Sequence, residues 1–62
     1  MSTMLTEFEA AKRLACSVGL LRKWRASGIG PVFCRFGRLI RYPVDAVDAF
    51  IAKTRVDPNG GE

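Results

Sequence analysis

The segment Leu14–Arg25, LACSVGLLRKWR, constrains this chain more than any other, because a helix end, a short turn and the start of a second, basic helix share a dozen residues. The turn falls at Ala15 and Cys16 and closes on Ser17. A serine there can accept a hydrogen bond from the unpaired N–H groups of the next helix's first turn, which makes Ser17 the expected N-cap. Beyond it, Leu21 and Trp24 fall on one helical face, while Val18, Arg22 and Arg25 fall on another with Gly19, Lys23 and Ala26 beside them. One face suits a hydrophobic core and the other suits an anion.

The flanking sequence supplies the remaining elements. Thr6 and Glu9 have the spacing of a capping box, so a first helix is expected from Glu7 to about Leu14 or Ala15. Phe8, Ala11 and Leu14 line its apolar stripe with Ala10 and Ala15 alongside, Leu5 is placed to staple its start, and Lys12 and Arg13 are left to solvent or phosphate. The basic helix should stop near Ser27, because Gly28 suits the left-handed position after a helix and Gly30-Pro31 cannot continue one. Val32–Phe36 and Leu39–Tyr42 read as two strands joined by the tight turn Gly37-Arg38, a small hairpin with Arg38 at its tip. Pro43 suits the first turn of a third helix, predicted over Val44–Thr54 from the spacing of Val44, Val47, Phe50 and Ile51, with Asp45 and Asp48 favouring its positive end. The folded domain is thus expected over 1–54, its core shared among Phe8, Leu14, Leu21, Trp24, Ile40 and Phe50. The polar, breaker-rich stretch 55–62 is expected to be a disordered tail.

Charge and composition narrow the function. Ten Lys and Arg against six acids give a net charge of +4, and eight of the ten cations lie between Lys12 and Arg41. Such clustering favours a polyanionic partner. A chain of 62 residues permits one compact domain and is poorly suited to a large catalytic cleft. Histidine is absent, so neither Ser17 nor the cysteines have an imidazole base, and Asp45 with Asp48 is explained by the helix dipole. Enzymatic activity and a cofactor are not expected. Two thiols cannot fill a four-ligand zinc site, and Cys16 and Cys34 read as small buried hydrophobes in a reducing cytosol rather than as a disulfide. No segment has the length of apolar sequence that crosses a bilayer, so a soluble, cytoplasmic protein without membrane contact is expected.

Taken in order, TEFEAAKRL, SVGLLRKWRASG and GPVFCRFGRLIRYPVDAVDAFI resemble the opening helix, recognition helix, and wing with closing helix of the MerR-like winged helix-turn-helix found in phage and mobile-element excisionases. The resemblance covers about Leu5 to Ala52. It implies a small α+β winged helix-turn-helix that binds double-stranded DNA, bends it near an attachment site and directs an integrase toward excision, with cooperative self-association along the DNA. On this reading Ser17, Val18, Gly19, Arg22 and Lys23 face the major groove, and Arg25 touches phosphate. Arg38 reaches the minor groove or its flanking phosphates, while Arg35 and Arg41 border the same surface, where they either contact phosphate or protect the strand edge. Gly19 departs from helix preference by about 1 kcal/mol relative to Ala, a cost that closer backbone approach to DNA would explain. Trp24, Phe33, Phe36 and Tyr42 are assigned to packing rather than to base stacking, with Phe33 or Phe36 turned outward. Two other functions fit the same residues: a transcriptional regulator of the same fold, and an adaptor that binds a protein. A full ligand-sensing MerR regulator is not expected, since no long dimerisation helix follows Ala52.

Overall fold

The computed structural model describes residues 3–56. A two-residue strand, β1 (Met4–Leu5), leads into Thr6 and the first helix, α1 (Glu7–Arg13). The capping box is complete: the Thr6 hydroxyl accepts from the Glu9 N–H at 3.1 Å, and the Thr6 N–H donates to Glu9 Oε1 at 2.8 Å. After the C-cap Leu14 the chain turns through Ala15 at φ 55°, in the left-handed region. The Cys16 N–H donates to the Ala11 carbonyl at 2.9 Å and the Ala15 N–H to the Lys12 carbonyl at 3.0 Å, the paired bonds of a Schellman motif.

Ser17 caps the second helix, α2 (Val18–Ala26), its hydroxyl accepting from the Leu20 N–H at 3.0 Å. This helix closes on the same motif, with Gly28 at φ 77° and bonds from the Ile29 N–H to the Trp24 carbonyl at 2.9 Å and from the Gly28 N–H to the Arg25 carbonyl at 3.2 Å. Gly30, at φ 94°, then lets the loop lie against Trp24: a Cβ there would stand 3.1 Å from the Trp24 Cβ.

Strands β2 (Cys34–Phe36) and β3 (Leu39–Pro43) form the hairpin, with Phe36 opposite Leu39 and Gly37-Arg38 between them. Gly37 has φ 61° while Arg38 keeps a negative φ, the pattern of a type II′ turn with glycine first. β2 is shorter than the expected Val32–Phe36, because Val32 and Phe33 belong to the loop that follows the buried Pro31. β3 is the central strand, since β1 pairs with its other edge and sets Leu5 opposite Tyr42. The third helix, α3 (Val44–Thr54), matches its expected span. Pro43 is the extended N-cap at ψ 134° rather than a residue of the first helical turn, and the Val44 N–H is satisfied by the Thr3 carbonyl at 2.8 Å.

Ala10, Ala11, Leu21, Tyr42 and Val47 are at most 2% exposed and form the core, with Leu14, Trp24 and Ile40 packed around them. Trp24 meets Phe50 at 5.6 Å between ring centroids, and Phe33 meets Tyr42 at 5.9 Å. Phe8 corrects the expectation: it is 64% exposed. The two buried alanines set the phase of α1, so its inward line runs Glu7, Ala10, Ala11, Leu14 and leaves Phe8 about 100° round the helix. Arg13, expected to face solvent or phosphate, instead forks onto Asp48 at 2.8 and 3.0 Å and ties α1 to α3. The architecture is a winged helix-turn-helix of α+β class: α1 and α2 make the helical pair, the β2–β3 hairpin is the wing, and α3 closes the core. The expected tail 55–62 lies outside the described residues from 57 onward, and Arg55 and Val56 follow α3 in non-helical conformation.

Candidate nucleic-acid interface

The phase of α2 decides what it can offer a partner. Leu21 is fully buried and Val18, Trp24 and Arg25 are half-buried, so the outward line carries Gly19, Lys23 and Ala26, all exposed. Two of these three are small, which leaves the helix backbone close to whatever lies against it. A Cβ at Gly19 would meet only Ser17 Oγ, at 3.9 Å, so packing does not require glycine there. Ser17 is occupied as the N-cap, and Val18 packs its side chain on the core.

Arg22 stands at the flank of this face, its side chain 54% exposed. Its Nε donates to Glu7 Oε1 at 3.1 Å and its Nη2 to Glu7 Oε2 at 2.7 Å, a fork-to-fork pair across α1 and α2. Arg25 lies deeper: Nη1 donates to the Tyr42 hydroxyl at 3.0 Å and to Glu7 Oε1 at 3.3 Å, with only 18% of the side chain exposed. A guanidinium held inside in this way has little of its surface left for phosphate. The hydrogen bond from Arg22 holds the Glu7 carboxyl below its ordinary pKa, outweighing the opposing effect of burial.

The wing adds a second group of cations. Arg35 and Arg38 are exposed, and neither forms an ion pair among the described residues. Arg41 is half-buried and donates from Nη1 to the Ile40 carbonyl at 2.8 Å. Arg25 and Arg35 both approach the Phe33 ring, at 5.7 and 5.9 Å from its centroid, so this aromatic links the base of the wing to α2. Phe36, not Phe33, is the outward aromatic, 55% exposed beside Leu39 at the wing tip. The expected residues therefore divide: Arg22 and Arg25 converge on Glu7, Arg25 and Arg35 on Phe33, and Arg38 stands apart at the hairpin tip.

Glu7 is the residue that the sequence reasoning missed. Read locally it is one more acid at a helix start, and its partners lie 15 and 18 residues away. The available signal was the pair Ala10 and Ala11, which sets Glu7 on the inward line facing the arginines of α2.

No acidic residue occurs between Glu9 and Asp45, so α2 and the wing carry only positive charge, and among the described residues the one acid that pairs with them is Glu7. Clusters of three or more metal-ligating side chains are absent among the described residues, and no helix there is long and apolar enough to cross a membrane. No curated protein and no solved structure matches the chain significantly. A family model described as a helix-turn-helix domain matches residues 4–55, from β1 through the end of α3. The chain belongs to that family of DNA-binding helix-turn-helix domains.

Proposed function

We propose that this domain acts in the cytoplasm as an excisionase, with residues 1–54 as the binding unit. It places α2 in the major groove and the wing at the adjacent minor groove of double-stranded DNA, bends the duplex, and directs an integrase toward excision. The observation that carries the DNA-binding part of the reading is that α2 and the wing contain no acid of their own, while Lys23, Arg35 and Arg38 are exposed cations and the outward line of α2 is otherwise small. Phosphate contacts made by such cations position a protein on the duplex, and base-edge contacts from α2 specify the site. The excisionase role comes from the sequence resemblance together with this surface. A single small domain reads a short duplex segment, so specificity would come from several copies side by side on repeated sites.

The test is a circular-permutation gel on attachment-site DNA, followed by a reconstituted reaction with the integrase of the same genetic element. Cooperative, bent complexes and a gain in excision are expected. Binding to an isolated promoter site without bending or effect on recombination would instead make the protein a transcriptional regulator. Affinity for a protein partner with no salt-dependent binding to duplex DNA would make it an adaptor.

A further inference from the structure

The Glu7–Arg22 pair has a geometry that bears on sequence recognition. A guanidinium has two edges that can fork onto a pair of acceptors: a side edge made by Nε and Nη2, and an end made by Nη1 and Nη2. Glu7 occupies the side edge, at 3.1 and 2.7 Å, and neither bond uses Nη1. The end remains open on a side chain that is half exposed at the flank of the outward face of α2. Glu7 is itself fixed, since it starts α1, lies on that helix's inward line and accepts a third bond from Arg25, which is anchored on the hydroxyl of the buried Tyr42. A line of contacts thus runs from the centre of the sheet to the tip of Arg22.

We propose that Glu7 is a specificity-determining positioning residue, which holds Arg22 so that the free end of its guanidinium reads a guanine in the major groove. The inference rests on the DNA-binding reading given above. Guanine is the base that presents two acceptors side by side there, O6 and N7, and they match the guanidinium end. An arginine on a flexible stem would meet phosphates as readily as bases. Clamping its side edge removes that freedom before binding and leaves only the forked end to be satisfied. The same carboxylate lowers the local positive charge, so it trades unspecific attraction for discrimination.

The experiment compares wild type, Glu7→Gln and Arg22→Lys, first by selection from a random-sequence duplex library and then by titration of the selected duplex. The titrated duplexes carry guanine, each other base or 7-deazaguanine at the chosen position. Wild type should select a guanine and lose about tenfold in affinity when it is replaced or when its N7 is removed. Glu7→Gln and Arg22→Lys should both lose most of that preference. Affinity for unrelated duplex should hold or rise in Glu7→Gln, because a carboxylate near the phosphates has gone. Arg22→Lys removes no buried group and keeps the test open if Glu7→Gln folds poorly. A Glu7→Gln protein that weakens on every duplex by one factor and keeps its guanine preference would reduce Glu7 to a brace of the fold. Selection of a site with no guanine sensitive to Arg22→Lys would also overturn the assignment. Failure of wild type to bind any duplex would instead remove the DNA-binding reading itself.

Discussion

Ala15 and Gly28 occupy the same place in two copies of one helix-ending motif, at φ 55° and 77°. They do not hold it equally well. An L-residue in the left-handed region brings its Cβ against the following carbonyl, a strain of about 1–2 kcal/mol that glycine escapes at some cost in chain entropy. Gly19 presents the opposite case, a glycine inside a helix where a methyl group would fit. Ala15→Gly should therefore stabilise the fold by about 0.5–1 kcal/mol and leave DNA affinity unchanged, whereas Gly19→Ala should stabilise it by about 1 kcal/mol and weaken binding. Thermal melting and DNA titration on the two variants separate these effects. If Gly19→Ala bound as tightly as wild type, close approach of the α2 backbone to DNA would be excluded as the reason for that glycine.

Among the elements, the wing is the one whose local chemistry and whose proposed role in DNA binding point to the same residue. Gly37 supplies the positive φ of the turn, and this leaves Arg38 at the tip with its side chain free of the core. Arg38→Ala should weaken DNA binding and reduce the slope of log affinity against log salt by about one unit, while the melting temperature stays within error. A drop in melting temperature with unchanged binding would make Arg38 a structural turn residue. The hairpin, the Ser17 cap, the Gly28 stop and the bounds of α3 were all legible in the sequence because each depends on neighbours within four or five residues. β1 was not, since two residues cannot display an alternating pattern and its existence depends on Tyr42 and Pro43 lying beside it. The placement of Phe8 failed for a related reason. A large apolar side chain marks a core only where the helix phase turns it inward, and the phase of α1 is set by two buried alanines, Ala10 and Ala11, small enough to let α1 approach α2 and β3.

At the scale of the whole molecule, the hydrophobic core among the described residues is small, Ala10, Ala11, Leu21, Tyr42 and Val47 with half-buried neighbours, and charge adds further ties between the elements at their rims. Glu7 joins α1 to α2 and, through Arg25, to Tyr42 of β3; Asp48 joins α3 to α1 through Arg13. None of these long-range pairs can be read from spacing, which is why the positions of the cations were legible and their division into clamped and free was not. Both acids have lowered pKa values, Glu7 chiefly through its hydrogen bonds from Arg22 and Asp48 through those from Arg13. A carboxyl whose folded pKa lies below its unfolded value adds stability that is complete above the unfolded value and is lost as pH falls through the folded one. The ordinary values are 4.5 for Glu7 and 3.8 for Asp48, so the melting temperature should be level near neutrality and fall once pH drops below about 4.5. Glu7 should dominate the fall, because its side chain is 19% exposed against 51% for Asp48 and water screens the second pair more strongly. In melts recorded from pH 7 to pH 3, Glu7→Gln should start lower than wild type, lose less on acidification and converge with it at the acid end. Asp48→Asn should follow the wild-type curve closely. Parallel curves for wild type and Glu7→Gln across the whole range would show that the Glu7 clamp does not stabilise the fold through its charge. The loss at low pH would then have to come from the exposed acids.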